Sequence, residues 1–227
     1  MINVLLGEKK KQWMMLGRLL DSPLFGDLDG PVERDGHYLK GITSYLHLTY
    51  GGGHTVKETG ASTVEIGTRV HSEVCALLKK REVSDPHPWT ELVFTTLADN
   101  GLVALASEVP IAYHALGTRI DIVARRTLLF GKDCTKLILI SLKTGSRRGP
   151  ERTHRRRLPG PFSLLPRCEQ TLDMIQITAE RGMAWFGHGV AFDSAWVLEV
   201  PGCIMRKAPP WTEDREKQFL LLSKISS

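Results

Sequence analysis

Apolar positions recur along this chain in runs long enough to predict most of a fold. Val70, Val74, Leu77 and Leu78 return at helical period, and Ser62 with Glu65 has capping-box spacing, so a helix is expected through to Lys80. From Glu91 the pattern shortens to that of strands. Glu91 to Leu97 reads as one strand, Asp99-Asn100-Gly101 as a hairpin turn, and Leu102 to Tyr113 as the returning partner. Pro110 marks a bulge or an edge in that partner. Gly117 to Arg125 and Lys136 to Leu142 are two more strands, rich in Ile and Leu. Arg167 to Phe186 reads as a long helix with Leu172, Ile175, Ala179 and Met183 on one face, followed by a strand from Ala195 to Val200 and a helix from Thr212 to Ser223. The first sixty residues are poorly patterned: a helix near Lys9 to Leu20, a loop from Asp21 to Gly36, and a short helix or strand before Gly51, Gly52 and Gly53. Helix, three to four strands, helix, strand implies an α/β domain with a mixed central sheet over 61–227, with 1–60 as an N-terminal extension that packs on it or covers its substrate channel.

Composition removes several classes. The chain has 227 residues, 42% apolar and 24% charged, which is ordinary globular usage and excludes a disordered, fibrous or membrane-embedded protein. No run approaches the roughly 20 apolar residues a bilayer span requires. No secretory signal is read at the start, because Glu8, Lys9, Lys10 and Lys11 interrupt a short apolar opening. Cys75, Cys134, Cys168 and Cys203 are scattered without metal or redox spacing. An intracellular, reducing setting is expected, with nucleus or mitochondrion both open.

Charge is more informative once located. The net +5 lies wholly in residues 146–157, which hold Arg147, Arg148, Arg152, Arg155, Arg156 and Arg157 against one acid, Glu151; the remainder balances 24 basic with 24 acidic residues. Such a block is a solvated loop, an import signal or a site for polyanions, phosphate backbones first.

Three local features precede that stretch. Gly67-Thr68-Arg69-Val70-His71 puts Gly67 and His71 on one helix face. Gly117-Thr118-Arg119-Ile120-Asp121 places an acid inside an apolar strand, and Ser141-Leu142-Lys143-Thr144-Gly145 ends a buried strand on a lysine. Alternation puts Ser141 and Lys143 on one face and Leu142 on the other. Singly, each has a structural explanation: a hydrogen-bonded core histidine, an acid paired with Arg119 or Arg125, a lysine leaving for solvent.

Together and in this order, they resemble the PD-(D/E)XK nuclease superfamily, in its RecB-like exonuclease branch, over roughly residues 60 to 200. That branch carries G-x-x-x-H on a helix, G-x-x-D on a strand, (D/E)-x-K on the next strand, often followed by T-G, and a glutamine on a later helix. Here those positions are His71, Asp121, Lys143 and Gln170. The resemblance implies a restriction-endonuclease-like core, a mixed central β-sheet flanked by helices, and metal-dependent hydrolysis of DNA, exonucleolytic, in replication, repair or recombination. Mg²⁺ or Mn²⁺ takes oxygen ligands and imidazole is acceptable to Mn²⁺, so Asp121 is the expected main ligand, His71 a second and the Leu142 carbonyl a third. Lys143 would orient the water or meet developing charge on phosphate, and Glu108 matches an acid found upstream of G-x-x-D. The six arginines and Gln170 would contact DNA, single-stranded or with free ends, through its backbone. No iron–sulfur cluster is expected from the cysteine spacing.

The chain departs from the family pattern at Ser141, a neutral hydroxyl where the second acid belongs. Either Glu108 or Glu73 compensates, or the fold is kept as a nucleic-acid binder or scaffold without cleavage. Glu73 lies about 200° around the helix from His71, so both are not expected at one ion.

Overall fold

A computed structural model describes residues 32–46, 61–127, 136–145, 157–158 and 162–209. The helices expected near 9–20 and 212–223, and all the arginines of the basic stretch before Arg157, lie outside these residues.

β1 (Glu33–Arg34) and β2 (His37–Tyr38) pair as a short hairpin, and β3 (Lys40–Gly41) runs directly into α1 (Ile42–Leu46). Then come α2 (Ala61–Leu78), α3 (Pro88–Asp99), β4 (Leu102–Tyr113), β5 (Leu116–Arg126), β6 (Leu137–Thr144), α4 (Glu169–His188), β7 (Ser194–Val200) and β8 (Ile204–Lys207). β5 is the spine of the sheet. It pairs antiparallel with β4 on one side, and on the other with β6 at its C-terminal half and with β3, in parallel, at Leu116 and Gly117. β6 pairs in parallel with β7 after the α4 crossover, and β8 closes the far edge antiparallel. The result is an α/β fold with a mixed sheet flanked by helices, an arrangement compatible with a restriction-endonuclease-like core.

β6 shows why the strand sequence is almost continuously apolar. Ile138, Ile140 and Leu142 pack beneath α2 and α3 with Val70, Val74, Val93 and Leu97. Leu137 and Leu139 face the opposite layer, built from α1 and α4 by Ile42, Leu46, Leu172, Ile175, Ala179 and Met183. A strand covered on both faces has no polar side to alternate with. Before its last residue, Thr144, the run is broken at Ser141 and Lys143, on the α4 face.

One expected strand is a helix. Residues 91–97 belong to α3, which opens with His87 capping the Trp89 N–H at 3.2 Å and Pro88 in the first turn. Val93 and Leu97, four apart, are both buried. The run Val93-Phe94-Thr95-Thr96 has the β-branched and aromatic composition of a strand, but burial along one helical face overrides that preference. Asn100 and Gly101 then end the helix, their N–H groups donating back to Thr96, Leu97 and Ala98 carbonyls. The true partner of β4 is β5, joined through His114 and Ala115, with Tyr113 opposite Leu116. Pro110 lies on this edge strand opposite Arg119, whereas the register shift falls between Ala104 and Ala106.

Among the described residues no helix is long and apolar enough to cross a membrane.

α4 is pressed against the β4 backbone at its C-terminal end. A Cβ added to Gly187 would stand 2.2 Å from the Ala112 carbonyl oxygen, and the next residue, His188, accepts the Ala112 N–H at 3.0 Å through Nε2. Backbone cannot swing aside as a side chain does. Gly187→Ala is therefore expected to destabilise the protein by about 3 kcal/mol, at the upper end for overpacking. Urea denaturation checks this, and an unchanged midpoint would show that α4 stands further from β4.

Candidate active site

Three side chains from three elements meet beside the sheet. His71 comes from the middle of α2, Glu108 from β4 and Asp121 from β5, and one ligand atom from each lies within 4.8 Å of the others. His71 Nδ1 is 3.5 Å from Glu108 Oε1 and 3.7 Å from Asp121 Oδ1. Their approach follows from local structure. α2 can lie close to β6 because Gly67 carries no side chain: a Cβ there would meet Thr144 Oγ1 at 2.5 Å. β5 is held by β3 at Leu116 and Gly117, and Leu39 and Val32 close over Gly117, four residues before Asp121.

Glu108 sits in the middle of β4 with φ +51°. A left-handed residue inside a strand costs on the order of 1–3 kcal/mol, and such strain persists where surrounding structure enforces it. Here the flanking pairs Ser107–Ile122 and Val109–Ile120 hold the strand on either side, and the strained residue is the one whose carboxylate meets His71.

Asp121 is seated by β6. Its Oδ2 accepts the Leu142 main-chain N–H at 2.7 Å and the Ser141 hydroxyl at 3.1 Å. Leu142 thus enters the site through its backbone donor. Ser141 is fully buried and acts as a donor to the acid. Two residues along β6 on the same face, Lys143 reaches α4: its Nζ donates to Gln176 Oε1 at 3.0 Å and lies 3.7 Å from Asp173 Oδ1. Gln176 Nε2 in turn donates to Glu180 Oε1 at 2.7 Å.

Charge follows this geometry. Burial opposes the charged form of His71, but the Asp121 carboxylate and the hydrogen bond and charge of Glu108 outweigh it, holding its pKa above the ordinary value despite Lys143 nearby. Burial, joined by the negative charge of Asp121, pushes the Glu180 carboxyl up to about 8, against the Gln176 hydrogen bond and the Lys143 charge. The shift favours the neutral form of Glu180. The donor set of one imidazole and two carboxylates, partly exposed, suits Mn²⁺ or Mg²⁺.

His71, Glu108, Asp121, Ser141, Leu142 and Lys143 all fall at this site. Gln170 does not. It lies in the first turn of α4, whereas the glutamine that meets Lys143 is Gln176, about 9 Å further along the helix axis. Glu73 is engaged elsewhere, accepting from Arg69 Nε, the His87 N–H and the Thr90 hydroxyl. These bonds outweigh its burial and hold its carboxyl below the usual range. Of the arginines, Arg147, Arg148, Arg152, Arg155 and Arg156 lie outside the described residues, and Arg157 donates to the Leu164 carbonyl at 2.9 Å. Trp185 is half-exposed on α4, while Phe186 packs against the core.

Asp173, Gln176 and Glu180 are the site residues that sequence reasoning passed over. They form a polar stripe at i, i+3 and i+7, adjoining the apolar stripe of α4, a pattern that in sequence alone matches a solvated helix face. No protein-family model matches the chain and no curated protein matches it, so the functional reading rests on the arrangement of these side chains.

Proposed function

We propose that this protein is a metal-dependent nuclease that hydrolyses DNA phosphodiester bonds, acting from a free end. The observation that carries this reading is the meeting of His71, Glu108 and Asp121 within 4.8 Å, next to a buried lysine on the strand that seats Asp121. His71, Glu108 and Asp121 would hold the ion, with the Leu142 carbonyl as a further ligand. Bound Mg²⁺ or Mn²⁺ would polarise the scissile phosphate and lower the pKa of the attacking water. Lys143, with the three donors of its ammonium group, meets the negative charge that develops on phosphate or orients the water. The basic stretch opens three residues after Lys143 and would grip the backbone without reading sequence.

A second reading is favoured by Ser141. A buried hydroxyl donating to Asp121 supplies no carboxylate for a cation, and the same fold would then bind nucleic acid without cutting it.

End-labelled single- and double-stranded DNA, incubated with Mg²⁺, Mn²⁺ or EDTA, separates the two. The nuclease reading expects products that require metal, reduced about a hundredfold by Lys143→Ala with DNA binding retained. Tight binding without products in either metal would establish the second reading.

A further inference from the structure

We propose that Glu180 is a positioning residue for Lys143, acting through Gln176 to fix where the ammonium group points. This rests on the nuclease reading for its consequence, though the geometry is independent of it. An ammonium has only donors, so the Gln176 amide must turn its oxygen toward Lys143 Nζ, at 3.0 Å. Its NH₂ group then points the other way along α4. Gln176 is 8% exposed and Glu180 1%, so solvent is a poor substitute for a protein acceptor there. Glu180 Oε1, one helical turn on and 2.7 Å away, is that acceptor.

The remaining contact of Lys143 on α4, Asp173 Oδ1 at 3.7 Å, is too long to direct the ammonium as a hydrogen bond. The charged groups facing Glu180 are Asp121 from β5, Lys143 from β6 and Asp173 from α4 itself. Its second oxygen, Oε2, has no hydrogen-bond partner among the described residues. Glu180 is not one of the three ligands that gather around the cation position.

The test compares Glu180→Leu, which removes the acceptor, with Glu180→Gln, which restores one, in the full chain. In the leucine variant, solvent exchange of the Gln176 side-chain amide protons, followed by NMR without metal or DNA, is expected to accelerate at least about tenfold. Cleavage is expected to slow by a similar factor, with Mn²⁺ affinity by calorimetry within about twofold of the parent. The glutamine variant should return both exchange and cleavage to near parental values. Fast exchange of the Gln176 amide in the parent protein would overturn the proposal without any variant. So would unimpaired cleavage in the leucine variant, or an Mn²⁺ affinity in the glutamine variant about tenfold weaker, which would make Glu180 a ligand. If exchange behaves as expected but no protein cleaves DNA, the Glu180–Gln176–Lys143 chain stands and the nuclease reading alone falls.

Discussion

Asp121→Asn is expected to remove metal-dependent cleavage by about a thousandfold or more while leaving the fold at least as stable. The main-chain N–H of Leu142 and the hydroxyl of Ser141 both donate to Oδ2. An asparagine must satisfy them with its one oxygen, which turns its NH₂ group toward His71 and Glu108. A donor then stands where a cation needs an acceptor, and one negative charge is gone. Mn²⁺ affinity, measured by calorimetry, should fall by about a hundredfold. Without metal the same change relieves crowding among carboxylates: the Asp121 charge is one of the causes that push Glu180 up. The thermal midpoint in EDTA should therefore hold or rise. A variant that still binds Mn²⁺ tightly would show that the ion sits elsewhere.

Glu180→Gln is expected to give the largest gain in stability, one that opens as the pH rises from 4.5 towards 8. The parent carboxyl has an ordinary value of 4.5 and is pushed up to about 8 by burial first and by Asp121 second. Below 4.5 the carboxyl is protonated whether the chain is folded or not, and burial costs nothing in proton linkage. Between 4.5 and 8 the unfolded chain releases the proton while the folded protein retains it, so parental stability declines as pH rises. Each unit is worth 1.36 kcal/mol, so the deficit at pH 8 is on the order of 4 kcal/mol. Glutamine does not titrate and escapes this decline. Denaturation in EDTA at pH 5 and pH 8 should show a gap between variant and parent that widens with pH. A constant gap would mean that Glu180 titrates as an ordinary carboxyl.

Much of this site was legible because its residues break a rule of their surroundings. Asp121, between Ile120 and Ile122, and Lys143, after Leu142, are charged residues beside buried apolar ones, and His71 follows a helical glycine by four. Such violations stand out against a core pattern. Gln176 and Glu180 break no rule visible in one dimension, since a polar stripe on a helix is the usual mark of a solvated face. Only the crossover that lays α4 over β6 turns that stripe inward. For the same reason the expectation fell on Gln170 and not on Gln176: which turn of α4 lies over Lys143 depends on how the helix docks, not on spacing. α3 was misread for a different cause. Its β-branched run and the Asp99-Asn100-Gly101 sequence agree locally with a hairpin, and the burial of Val93 with Leu97 against α2 decides otherwise. The strands β4 to β7 were legible because both faces of the sheet are covered and their apolar runs are nearly unbroken.

The bond from Leu142 to Asp121 also says how this site can drift. It is donated by the main chain, so every residue except proline supplies it equally well. The Leu142 side chain points away into the layer beneath α2 and α3. Its identity answers to packing alone, and Ile, Val or Met can replace it without disturbing the carboxylate. The adjoining contact from Ser141 has no such protection, because one substitution deletes its hydroxyl. Two neighbouring residues that hold the same oxygen are thus under different constraints: the first is replaceable by design of the backbone, the second only by another short donor.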